Sequence, residues 1–165
     1  MAAPGYNAGT GFAGTLQALS STLISLVTLA GAGSSQKRWY VWEIECAQNA
    51  VPNATDCAVE YALNYCSFGA GGTGTSLTPF PTAGALTTDV AVTVAKANFT
   101  VEPTTYTQAD EFWHDACNQR SRILWQAAPG EEIFSTGAAT VGMGLRAKST
   151  NYTGTSIANL KFSEI

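Results

Sequence analysis

Two stretches of strict alternation flank a turn-rich segment, and they constrain this chain more than any other feature. Tyr40, Trp42, Ile44 and Cys46 fall at every second position, and so do Cys57, Val59, Tyr61, Leu63 and Tyr65. A period of two is that of a strand with one buried face. Between them, Gln48-Asn49-Ala50-Val51-Pro52-Asn53-Ala54-Thr55-Asp56 is rich in turn formers. The pattern predicts strands over 38–47 and 57–67, joined as a hairpin with both apolar faces inward. Such a hairpin sets Cys46 opposite Cys57, a geometry compatible with a bridge. Two buried thiols acting as small hydrophobes compete with that bridge. The most apolar run, Leu23-Ile24-Ser25-Leu26-Val27-Thr28-Leu29-Ala30, follows 22 residues without Lys or Arg, so the positive start of a signal peptide is missing. The chain is expected to stay where it is made, and a reducing cytoplasm favours thiols.

Short strand-like segments continue along the chain. Residues 23–29 read as a strand from their Thr, Val and Ile content, although Leu16, Leu19 and Leu23 have helical spacing. Val90, Val92 and Val94 alternate with Ala91, Thr93 and Ala95. Arg122–Ala127, Glu132–Ser135, Val141–Ala147 and Thr155–Phe162 follow, with the turn dipeptide Pro129-Gly130 inside the series. Residues 1–14 are small and glycine-rich and predict a flexible, extended arm. Residues 69–86 predict a long Gly/Thr/Pro-rich surface loop, and Gly31-Ala32-Gly33-Ser34-Ser35 a shorter one. For 109–117 the pattern leaves helix and strand open: Phe112, Trp113, Ala116 and Cys117 have helical spacing, with Thr107 or Asp110 as a cap. Many short strands punctuated by Gly, Pro and Asn predict an all-β sandwich or barrel, with residues 15–165 as one domain.

Composition removes several classes of function. Charged residues make up 12% of the chain, about half the ~25% usual for soluble domains, and the net charge is −4. Eight Lys and Arg are too few for the positive footprint of a nucleic-acid binder. Seventeen aromatic residues exclude a disordered acidic tail. The apolar run at 23–30 falls far short of the ~20 residues of a membrane helix.

The residues with chemical potential are scattered. Trp113-His114-Asp115-Ala116-Cys117 holds the single histidine beside an acid and a thiol, which suggests a metal ligand set or a nucleophile–base pair. Neither has its full complement, and no C-x-x-C occurs. Glu43 and Glu45 share one strand face, opposite Tyr40, Trp42 and Ile44, and with Trp39 imitate a glycosidase cleft; a polar outer face is the simpler reading. Glu131-Glu132 follow a turn. The glycine runs at 69–74 and Gly137, Gly142 and Gly144 lack the Lys-Ser/Thr of a phosphate loop. Asn53-Ala54-Thr55, Asn98-Phe99-Thr100 and Asn151-Tyr152-Thr153 are sequons that a threonine-rich chain yields by chance. The expectation is a non-enzyme with no catalytic, cofactor-binding or metal site.

Several segments carry a resemblance. Arg38-Trp39-Tyr40-Val41-Trp42-Glu43-Ile44, Ala97–Thr107, Asn118-Gln119-Arg120, Trp125–Glu132, Gly142-Met143-Gly144-Leu145-Arg146, Tyr152-Thr153-Gly154-Thr155 and Phe162-Ser163-Glu164 together resemble the head decoration, or cement, proteins of tailed bacteriophages. The resemblance implies a β-sandwich or jelly-roll-like domain, and strand for 109–117. It implies a structural virion protein on the capsid exterior, assembled in the host bacterial cytoplasm, that binds the major capsid protein and self-associates, with a trimer favoured. It carries no catalytic residue. The alternative is a carbohydrate-binding β-sandwich, a host-binding virion component or a lectin, stacking sugars on exposed Trp39, Trp113 and Tyr152.

Overall fold

A computed structural model describes residues 5–31, 38–67, 72–82, 93–104, 106, 111–135 and 141–165. The reading of Ala32–Ser35, Gly69–Gly71, Val90, Val92, Thr107, Asp110 and Gly137 falls outside these residues. The described residues form twelve strands: β1 (Gly5–Gly9), β2 (Ile24–Ala30), β3 (Trp39–Gln48), β4 (Ala58–Ser67), β5 (Thr73–Leu77), β6 (Phe80–Pro81), β7 (Val94–Val101), β8 (Glu111–Asn118), β9 (Arg122–Gln126), β10 (Ile133–Phe134), β11 (Val141–Lys148) and β12 (Ser156–Glu164). One 3-10 turn, Thr10–Ala13, follows β1. The protein is all-β, as its alternating segments predict.

The strands form two antiparallel sheets packed face to face. Each contains a four-strand set, β1-β12-β3-β9 in the first and β2-β11-β4-β8 in the second. From β1 onward the chain changes sheet at every step through these eight strands, except between β4 and β8. That connectivity is the double Greek key of a jelly roll. The extra strands sit at the margins: β6 on β1, β10 beside β9 on the same edge of β3, and β7 then β5 on β2.

Between the sheets lies one core. Tyr6, Ala8, Trp39, Val41, Ile44, Cys46, Ala158, Leu160 and Phe162 from the first sheet face Val27, Leu29, Val59, Tyr61, Leu63, Met143 and Leu145 from the second. Strand β12 is the spine of the first sheet, paired along its length with β3 and at Asn159–Ser163 with β1. Removing such side chains from water supplies the main driving force, at ~25 cal/mol per Å² of apolar surface.

Three expectations need correction. The segments 38–47 and 57–67 are strands, but they are not a hairpin. They lie in opposite sheets, and residues 49–57 cross between them. A period of two reports only which side of a strand is buried, and facing sheets satisfy it as well as a paired hairpin does. The crossing is pinned at its ends, with Asn49 N donating to Thr155 O (2.9 Å) and Gln119 N to Cys57 O (2.9 Å). In its middle, Gln119 Nε2 donates to Asn53 O (3.2 Å) and Thr55 O (2.9 Å). Cys46 therefore does not face Cys57 across a ladder, and all four cysteines are free.

The phase of β3 differs as well. Lys161 pairs with Glu43 but Phe162 with Val41, so Trp42 is an extra residue at a β-bulge. The bulge switches the inward set from Trp39 and Val41 to Ile44 and Cys46. Tyr40 and Trp42 thus share the outer face with Glu43 and Glu45.

The third correction concerns the N-terminal arm and the 69–86 loop. Gly5–Gly9 is no free arm but a strand held between β12 and β6, with Tyr6 stacked on Phe162 at 5.6 Å. Within 69–86, Thr73–Leu77 and Phe80–Pro81 are strands, and Leu77 is buried. Threonine and glycine there extend a sheet edge by backbone pairing, which needs little apolar content. Other readings stand. Residues 111–118 are strand, and Ala128–Glu131 is a turn closed by Glu131 N to Ala128 O (2.9 Å). Pro129 and Gly130 occupy its centre; Gly130, at φ 89°, adopts the left-handed conformation that glycine tolerates.

Candidate functional site

The Trp113–Cys117 motif lies on edge strand β8, where alternation separates its members. Trp113 packs against the core. His114 points outward, with Nδ1 at 3.1 Å from Glu111 Oε1 and Nε2 at 3.7 Å from Glu60 Oε2. Cys117, three residues on, takes the opposite side of the strand. No nucleophile–base pair forms from them, and no group of three or more potential ligands gathers among the described residues.

Glu43 and Glu45 are both engaged on the outer face of the first sheet. Glu43 is ion-paired with Lys161 and accepts from Gln126 Nε2 (2.7 Å). Burial opposes its ionisation, but these partners outweigh burial and hold its pKa below the usual carboxylate range. Glu45 lies 3.7 Å from Arg122 and accepts from Asn159 Nδ2 (3.4 Å). The polar-face reading describes them. Glu131 is exposed, and Glu132 Oε2 accepts from Gly130 N (2.9 Å) within the turn.

The proposed sugar-stacking aromatics are misplaced. Trp39 and Tyr152 are each 1% exposed, and Trp39 meets Phe162 edge-on at 6.2 Å. Trp113 is half-buried. Among the described residues the exposed aromatics are Phe80, Phe112 and Phe134. Phe134 on β10 lies 5.4 Å from Tyr40, Tyr65 Oη donates to Phe134 O (3.2 Å), and Phe112 stands edge-on to Tyr65 at 4.3 Å. Phe112 and Phe134 are 40% and 48% exposed. These four side chains form one strip along the flank where the two sheets meet. Phe112 belongs to it because β8 bulges there: Trp113 pairs with Leu63, but Glu111 pairs with Asn64.

A polar cluster lies on the outer face of the second sheet. After β7, Glu102 and Tyr106 lie on that face: both Glu102 carboxylate oxygens accept from Ser25 N (3.1 and 2.9 Å), and Tyr106 Oη bonds Ser25 Oγ (2.7 Å). Tyr106 lies over Gly144, where a Cβ would overlap its ring. The Arg146 guanidinium stacks on that ring, 3.9 Å from its centre, and its Nη2 donates to Leu23 O (3.2 Å). Arg146 Nε is buried with no acceptor. Burial raises the Tyr106 hydroxyl's pKa, pushes the Cys66 thiol beneath it up to about 11, and lowers that of Arg146. Beside this stack opens a hollow of about 280 Å³, lined by Leu23, Asn64, Glu111, His114, Arg146 and Lys148. Lys148 Nζ pairs with Glu60 Oε2 (2.9 Å) at its rim.

A second hollow, about 480 Å³ and open, lies at the end of the sandwich between Gln48, Pro52, Gln119 and Arg122. Its polar groups are occupied in fastening the 49–57 crossing: Arg120 Nε reaches Asp56 (2.9 Å) and its Nη2 reaches Asn53 O (2.8 Å). With its amide placed to satisfy both ends, Gln48 accepts from Tyr61 Oη (2.6 Å) and donates to Ser121 O (2.7 Å).

The thiols supply a check on this packing. Burial raises the pKa of Cys46, Cys66 and Cys117, so each is protonated and slow at neutral pH. Unfolded without reductant, the chain is expected to take four alkyl adducts by mass. In the native state Cys46 and Cys66 should stay unmodified while half-buried Cys117 reacts slowly. Two missing adducts in the unfolded sample would contradict the free-thiol description.

Sequence reasoning did not gather Glu102, Tyr106, Glu111 and Arg146. The outward phase of Gly144, Arg146 and Lys148 was legible from Met143, Leu145 and Ala147, but nothing local announces that Tyr106 lies across Gly144. Comparisons with protein-family models, curated proteins and solved structures give no match.

Proposed function

We propose that this chain is a structural protein of a tailed-bacteriophage head, a decoration or cement protein that binds the outside of the capsid and stabilises the shell. The observation that carries the reading is the strand connectivity: the jelly roll recurs in viral coat and lectin domains. The likeness of its strand and turn segments to decoration proteins points the same way. The low charge fits too, since Thr, Ser, Asn and Gly enter wet contacts without the desolvation cost of Lys or Glu.

The major capsid protein is the partner, and copies of the chain meet one another, as a trimer, around the shell's symmetry positions. The strip Tyr40–Phe134–Tyr65–Phe112 is the surface best suited to those contacts, being aromatic, contiguous and flanked by edge strands. Each copy needs only a modest interface, because repetition over the lattice multiplies it. The protein acts by clamping neighbours, not by chemistry.

Heads assembled without this chain are expected to release their DNA at a lower temperature than complete heads. Adding the purified protein back should restore the difference. Equal stability with and without it, and its recovery from tails alone, would overturn the assignment.

A further inference from the structure

We propose that the hollow beside Tyr106, on the outer face of β4, β8 and β11, binds a single neutral sugar residue through its hydroxyl groups. The inference is independent of the capsid reading, and it differs from stacking on Trp39 or Tyr152, which the core consumes.

Arg146 motivates it. A guanidinium carries five donors; among the described residues this one makes one hydrogen bond, to Leu23 O, and its Nε is buried with no acceptor. Holding a half-desolvated cation with a buried donor unmet costs stability. The group is nonetheless fixed by its stack on Tyr106, which itself is anchored to Ser25. It is an oriented donor beside an open hollow.

Charge and size select the ligand class. Among the described residues, the charged side chains around the hollow are Arg146 and Lys148 against Glu60, Glu102 and Glu111. Three carboxylates against two cations disfavour a phosphate or sulfate, and the two cations at the wall disfavour a metal ion or amine. A hydroxyl both donates and accepts. Adjacent hydroxyls of one ring satisfy Arg146 as acceptors and Glu111 as donors at once, with Asn64 and His114 able to add further bonds. About 280 Å³ lies below the range for drug-sized ligands and suits one ring. The Tyr106 face is already taken by Arg146, so hydrogen bonds carry the binding. A weak single site of this kind becomes useful where many copies are displayed together.

The test uses the full chain, titrated with the methyl pyranosides of glucose, galactose, mannose and N-acetylglucosamine, and observed by saturation-transfer and amide-shift NMR. Acetate and inorganic phosphate serve as anionic probes. At least one pyranoside is expected to shift amides of β4, β8 and β11. Arg146→Met, which keeps the stem over Tyr106, should weaken it about tenfold or more without lowering the melting temperature. Glu111→Ala, at the sheet edge, should weaken it likewise and serves if the first variant does not fold. The proposal is overturned if no pyranoside perturbs these strands, if binding survives both substitutions, or if phosphate or acetate occupies the hollow in preference to every sugar.

Discussion

Deleting residues 1–9 is expected to unfold the protein or leave it aggregating. Strand β1 pairs with β12 over Gly5–Gly9 and places Tyr6 and Ala8 in the core. Tyr6 stacks on Phe162, and removing a buried aromatic of that kind costs about 3–5 kcal/mol by itself. The deletion also strips β12 of one hydrogen-bonded neighbour, baring the backbone beside Leu160 and Phe162. An exposed, apolar edge of that sort templates association with other chains. In a domain of this length, such a loss lowers the melting temperature by about 10 °C or more. Thermal unfolding followed by circular dichroism, with light scattering for aggregation, measures it. A truncated chain that melts within about 2 °C of the intact one would restore the reading of this segment as a free arm.

Trp39→Ala is expected to lower unfolding stability by about 3–5 kcal/mol in urea titrations. Trp39 is fully enclosed, edge-on to Phe162, and its backbone N donates to Ser135 Oγ (3.1 Å). Trp42→Ala is the control. Trp42 lies on the outer face near Lys161 Nζ, 5.6 Å from its ring centre, and the loss there should stay below about 1 kcal/mol. The pair separates architecture from recognition, because an outward Trp39 that stacked on sugar would show the reverse order. Equal, small effects from both would contradict the inward phase of Trp39 and the bulge at Trp42.

How much of this was legible in the sequence depends on whether the cause was local. Alternation and residue content are local properties, and together they located β2, β3, β4, β9, β11 and β12 to within a residue or two. The Pro129-Gly130 turn was equally plain, because its residue types match its dihedral needs. What decided between a hairpin and a crossing at 49–57 is not local: it depends on whether β3 and β4 share a sheet, and Gln119 and Arg120 fasten that crossing from more than sixty residues away. The phase of Trp39 was lost to one inserted residue, since a bulge reverses every side chain before it. Gly5–Gly9 looked free because its composition is that of a linker, while its place between β12 and β6 comes from backbone pairing and one tyrosine. The cluster at Arg146 followed the same rule: its strand phase was readable, its partner Tyr106 was not.

The capsid assignment rests most directly on where the molecule sits in an intact particle. Electron cryomicroscopy of purified phage heads, at a resolution that traces strands, makes that measurement. The expected result is a jelly-roll density on the outside of the shell, repeated at symmetry-related sites, with the strip formed by Tyr40, Phe134, Tyr65 and Phe112 covered by capsid protein or a second copy. Bare shells, with the protein confined to tails or recovered only as a free monomer, would contradict it.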